Sequence, residues 1–166
     1  MKQSLQISNH AILSAEERAM LAQSVIAVEQ KSITQVASET GLHPDILSAL
    51  VRDGVLAGLP PTRDADGVCD VDAAREIAER LAAARAPVEG QPIVATDAAE
   101  KYSFPPQTIY KWHASGWVKK LGGEKRNRLF NEGDIAFARA LADLRGQAEG
   151  KAVFPAKPRS GRPRKQ

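Results

Sequence analysis

The chain has 166 residues, 43% hydrophobic but only 5% aromatic, and a net charge of +3. That length suits one domain or two small ones sharing an interface, and the apolar fraction excludes a wholly disordered chain. One cysteine, Cys69, leaves no internal disulfide or thiolate zinc site and fits a reducing cytoplasm, and no stretch has the ~20 apolar residues of a membrane span or the pattern of a signal peptide.

The charge is unevenly spread. Residues 1–100 hold 8 Lys and Arg against 15 Asp and Glu, a net of −7; residues 101–166 hold 15 against 5, a net of +10. A step of that size points to an anionic partner for the second half. Nucleic acid is the commonest, because each neutralised phosphate releases condensed counterions.

In chain order, residues 1–13 read as a loose arm. Ser14 and Glu17 form a capping box for a helix from about Ala15 to Gln30; together these are an N-terminal arm and helix, 1–31. Ser32 and Gln35 form another box, and a short helix runs to about Thr40, where Gly41 breaks it. His43-Pro44-Asp45 opens a second short helix with Ile46, Leu47, Leu50 and Val51 on its apolar face, stopped by Gly54. Residues 55–71 read as a loop or hairpin, and Asp72 is the expected cap of a helix to about Ala86. These elements make a first unit over 32–86. Pro87, Gly90 and Pro92 mark a linker, 87–93.

The pattern then repeats. Shifted by 62 positions, Thr34 falls on Thr96, Val36-Ala37 on Ala98-Ala99, Leu42 on Phe104 and Pro44 on Pro106. Leu47 falls on Ile109, Leu50 on Trp112, Gly54 on Gly116 and Leu56 on Val118. Apolar positions meet apolar positions and the Pro and Gly punctuation coincides, so the chain carries two copies of one unit. In the second, over 94–148, Thr96 is the expected cap of a helix to about Tyr102. A second helix spans Pro106–His113, with Ile109 and Trp112 inward and Gln107, Thr108, Tyr110, Lys111 and His113 outward. Such a polar face fits a major groove about 12 Å wide. Gly116 ends that helix. Trp117–Leu121 and Asn127–Phe130 read as strands around Gly122-Gly123-Glu124, a hairpin carrying Lys119, Lys120, Lys125, Arg126 and Arg128. Asn131 is the expected cap of the last helix.

Ala98-Ala99, the run Thr108–Trp112, Gly116, Arg128-Leu129-Phe130 and Asp134-Ile135, in this order, resemble the winged helix-turn-helix of MerR-type regulators and phage excisionases. The resemblance covers 94–145 well and 33–85 weakly. It implies a mainly α fold with small β-hairpin wings, built as tandem winged helix-turn-helix units. It also implies major-groove contacts from Gln107, Thr108, Tyr110 and Lys111, and backbone contacts from Lys125, Arg126 and Arg128. The chain departs from the family in having Pro105 where a Ser or Thr cap is usual, and the long helix and effector domain of MerR-type regulators are not evident.

The first copy is degenerate, offering Asp45, Ser48, Arg52 and Asp53 on its second helix and Arg63, Asp64 and Asp66 on its hairpin. Its acids repel phosphate. Packing, dimerisation or a protein partner is one reading of it; a second DNA reader is the other.

Residues 149–166, rich in Lys, Arg and Pro, read as a disordered basic tail. Gly161–Lys165 matches part of an AT-hook, with Ser160 where the first Arg of that motif belongs; a nonspecific basic arm is the alternative. Either gives DNA contacts to Arg159, Arg162, Arg164 and Lys165. His10, His43 and His113 lack metal-ligand spacing, and no phosphate loop or nucleophile arrangement appears, so no enzyme activity, metal or cofactor is expected. The expectation is a cytoplasmic, nucleoid-associated regulator of transcription that binds double-stranded DNA as a homodimer, without a small-molecule effector. An architectural DNA-binding factor and a protein-interaction adaptor with a basic tail are the rival classes.

Overall fold

A computed structural model describes residues 28–146 and 152–155. Among the described residues six α-helices and six short strands repeat one order, strand-helix-helix-strand-strand-helix, twice. The first unit comprises β1 (Gln30–Ser32), α1 (Ile33–Thr40), α2 (Pro44–Arg52), β2 (Gly58–Leu59), β3 (Val68–Asp70) and α3 (Val71–Arg85). The second comprises β4 (Pro92–Val94), α4 (Ala95–Tyr102), α5 (Pro106–Ala114), β5 (Lys120–Gly122), β6 (Leu129–Asn131) and α6 (Glu132–Leu144). The fold is thus mainly helical, with two small three-stranded antiparallel sheets ordered β1-β3-β2 and β4-β6-β5.

The repeat holds at the level of single hydrogen bonds. Gly54 and Gly116 both follow the second helix with positive φ, +72° and +79°, a region that only glycine enters without steric cost. Their N–H groups donate to Val51 O and His113 O, again 62 positions apart. In the sheets Gln30 pairs with Asp70 and Pro92 with Asn131. The offset falls to 61 beyond the hairpins, so the second hairpin is one residue shorter.

Local chemistry explains most helix starts. Ser32 and Gln35 form the expected reciprocal box at α1. Asn131 caps α6 as expected, its side chain accepting from Gly133 N. At α3 the cap is Asp70, not Asp72; its Oδ1 accepts from Asp72 N and Ala73 N. At α4 the cap position is Val94, not Thr96, and carries no side-chain bond. The strand pair in the second hairpin lies later than the sequence implies, because Trp117 and Val118 still bond back to Trp112 O in the turn that ends α5. Each hairpin gains a third strand. One is β1, whose Gln30 was expected to end a helix. The other is β4, which overlaps the end of the expected linker, 87–93; a 3-10 turn at Ala86–Val88 overlaps its start. The helix and arm expected before residue 28 lie outside the described residues.

One apolar core runs through both units. It joins Leu47, Leu50 and Leu81 of the first to Ile109, Phe130 and Ile135 of the second. α3 packs along α6. Around that contact Arg85 pairs with Glu89 and, at 2.9 Å, with Asp134. Glu89 accepts from Asn131 Nδ2, and Asn131 Oδ1 accepts from Gly90 N. The His43 ring meets Trp117 edge-on at 5.0 Å, and Arg145 Nε donates to Asp53 Oδ2 at 2.5 Å. The start of the expected disordered tail is a further correction: Val153 and Phe154 are each 5% exposed and join the core. Among the described residues no helix is long and apolar enough to cross a membrane.

Candidate nucleic-acid interface

The sequence of α5, PQTIYKWHA, has two large apolar residues at i and i+3 among polar neighbours. Such a helix can bury only one edge. Ile109 and Trp112 are buried, while Gln107, Lys111 and Ala114 are exposed one turn apart on the other side. Thr108 and Tyr110 are half-buried at the margins. Pro106 suits the first helical position, and Thr108 N donates to Pro105 O at 2.8 Å, so the helix starts without a side-chain cap.

His113 departs from expectation. Its Nδ1 lies 3.1 Å from Val118 O and its ring lies 5.5 Å from Phe130. A carbonyl only accepts, so Nδ1 carries the hydrogen and faces the protein. His113 therefore fastens the end of α5 to the chain entering the hairpin.

The hairpin is held close to α5. Tyr110 meets Phe130 edge-on at 5.5 Å, and the Arg128 guanidinium lies 5.8 Å from the Tyr110 ring centroid. A cation over an aromatic face contributes about 0.5–1 kcal/mol at a solvated site. Lys119, Lys120 and Lys125 are exposed. The backbone of Arg126 lies in the 3-10 turn between the strands, and its side chain lies outside what is described. Gly123, at φ +73°, has the Asn127 carbonyl where a Cβ would stand, so the tight bend of this loop needs glycine. Arg159, Arg162, Arg164 and Lys165 lie outside the described residues.

Two buried acids hold this surface in place: Asp134, which the sequence marked only as part of the family resemblance, and Glu132, which it did not single out. Asp134 Oδ2 accepts from Lys119 N at 2.8 Å at the foot of the hairpin, while its other oxygen faces Arg85. Glu132 accepts from Lys101 Nζ at 2.5 Å and from the Tyr102 hydroxyl at 2.7 Å, tying α4 to α6. Burial opposes ionisation of Glu132, but these two donors outweigh it and hold its carboxyl below the usual range. Burial, with the Glu132 carboxylate as neighbour, pushes the Tyr102 hydroxyl up. Their sequence signal was faint: an acid in the first turn of a helix reads as an ordinary dipole partner.

In the first unit the matching helix is closed off. Every residue from Ile46 to Val51 is buried, Ser48 and Ala49 included. Asp66, in its hairpin loop, accepts from Thr34 N at 3.1 Å, and the Thr34 hydroxyl and amide lower its pKa. Of the groups this unit offered to DNA, Arg52 and Arg63 are exposed.

Comparison with protein-family models, curated proteins and solved structures gave no match. The geometry of α5 and its hairpin therefore carries the functional reading. Among the described residues no group of three or more His, Cys, Asp or Glu could hold a metal ion.

Proposed function

We propose that this protein binds double-stranded DNA and reads its sequence, as a regulator of transcription. In this reading the two units are tandem winged helix-turn-helix modules of the MerR and excisionase kind, and only the second reads DNA. Gln107 and Lys111 enter the major groove, where amide and ammonium groups can bond base edges. Lys119, Lys120, Lys125, Arg126 and Arg128 lie along phosphates and set the register. Arg159, Arg162, Arg164 and Lys165 add nonspecific affinity. The observation that carries the reading is the solvent-facing edge of α5, with Gln107 and Lys111 one turn apart, beside a hairpin whose Arg128 touches that same helix. Two chains on repeated half-sites is the expected arrangement.

The test is a selection of bound duplexes from random DNA with the full chain, at two salt concentrations. The expected result is one enriched motif of a few base pairs per chain, with affinity falling as salt rises. Retained duplexes without any enriched motif would favour an architectural role. No retention at low salt would favour a protein adaptor and end this reading.

A further inference from the structure

The aromatic cluster of the second unit, beside the seam with the first, has an occupant that neither repeat supplies. Phe154 stacks on Trp117 with centroids 4.8 Å apart and planes at 5°. It meets Trp112 of α5 edge-on at 5.3 Å and lies parallel to Phe137 of α6 at 6.4 Å. Arg145 Nη1 donates to Ala152 O at 3.0 Å and to Val153 O at 2.6 Å, while its Nε holds Asp53 of the first unit. Two buried side chains and two satisfied carbonyls make this a docked segment rather than a passing contact. It sits against the carboxyl end of α5, close to where the hairpin begins.

We propose that residues 152–155 are an anchor that fixes where the basic arm leaves the protein, so that the arm meets duplex phosphates beside the α5 surface. The inference rests on α5 and its hairpin binding duplex DNA. From Pro155 to Gln166 the chain runs 11 residues, among them Lys157, Arg159, Arg162, Arg164 and Lys165. At about 3.3–3.6 Å per residue they span at most about 36–40 Å. That is about one turn of duplex, roughly 34 Å. Without the anchor the arm would start after Gly146, with 20 residues, and reach roughly twice as far. Affinity would change less than reach, since effective concentration falls only as about the −3/2 power of tether length.

The test maps reach directly. A cutting reagent, iron–EDTA, is attached through Gln166→Cys in the full chain; Cys69 is buried and stays unlabelled. DNA cleavage is then read around the selected site. Three further proteins carry a ten-residue Gly-Ser insertion after Pro155, the same insertion between residues 148 and 149, or Phe154→Ala. The insertion after the anchor should widen the cut region from about one turn to about two, and Phe154→Ala should do likewise. The insertion before the anchor should leave it unchanged. Neither insertion alters a core side chain, so the comparison stands even where Phe154→Ala fails to fold. Equal widening by both insertions, or a normal footprint without cutting, would overturn the anchor while leaving the DNA reading intact. Absence of any footprint would remove both.

Discussion

Helices α2 and α5 hold the same place in the two repeats, open on a proline and stop just before a glycine, yet only α5 keeps a face to solvent. Position by position, Gln107 answers to Asp45, Thr108 to Ile46, Tyr110 to Ser48, Lys111 to Ala49 and His113 to Val51. The backbone is shared, so the difference lies in side chains: beside its apolar face α2 sets small Ser48 and Ala49, which are buried, whereas α5 sets Tyr110 and Lys111 at the matching positions, and Lys111 stays in solvent. One scaffold thus yields a packing element and a solvent-facing surface from nine-residue segments. The same contrast appears one step later, where buried Val71 in the first unit answers to buried, ion-paired Glu132 in the second.

The largest effect should come from exchanging the residues at one equivalent position. Ala49→Lys places an unpaired ammonium inside the core and should cost about 3 kcal/mol or more. Lys111→Ala, 62 positions on, should change stability by about 0.5 kcal/mol or less. Urea unfolding of both decides; similar values would abolish the contrast. Next, Lys111→Ala or Gln107→Ala should relax base preference by about 1–3 kcal/mol at one position, whereas Arg52→Ala should leave preference unchanged. Binding to a panel of single-base variants reads this, and a shift with Arg52→Ala would make α2 a reader too. Third, Lys125→Ala and Arg128→Ala should each reduce the salt slope of binding by about 0.9, and Arg63→Ala, on the first hairpin, should not. Titrations at several salt concentrations measure it.

The smallest effect concerns pH. Glu132 ionises more readily folded than unfolded, so its contribution is complete above the ordinary glutamate range and fades as pH falls below it. Glu132→Gln should flatten that acid limb of the stability curve, whereas Val71→Ala should lower stability at every pH alike. Thermal unfolding across acid pH compares them.

Much of this was legible because the repeat is written in punctuation. Pro44 with Pro106 and Gly54 with Gly116 fix the ends of the second helices, and backbone geometry leaves few substitutes there. In α2 the spacing of Ile46, Leu47, Leu50 and Val51 showed one apolar face; that Ser48 and Ala49 beside it are buried too depends on what packs over them, which no local pattern records. Strands β1 and β4 were hidden because three residues are too few for an alternation to show. Their pairing partners, moreover, lie some 40 positions away. His113 was misplaced because its polar ring masks a bond to Val118 O that only the turn after α5 creates. Phe154 was read as part of a charged tail; its signal was a lone Val-Phe pair in a stretch otherwise short of large apolar residues.

The seam bears on any attempt to dissect the chain. α6 lies along α3, Trp117 lies between His43 and Phe154, and Arg85 and Arg145 each bridge the halves. Cutting at Gly90 would strip both pieces of their apolar cover and leave Asp134 without its guanidinium. The fragments should therefore clump or recombine rather than behave as miniature versions of the whole, and mixing them should regenerate the intact protein's unfolding transition.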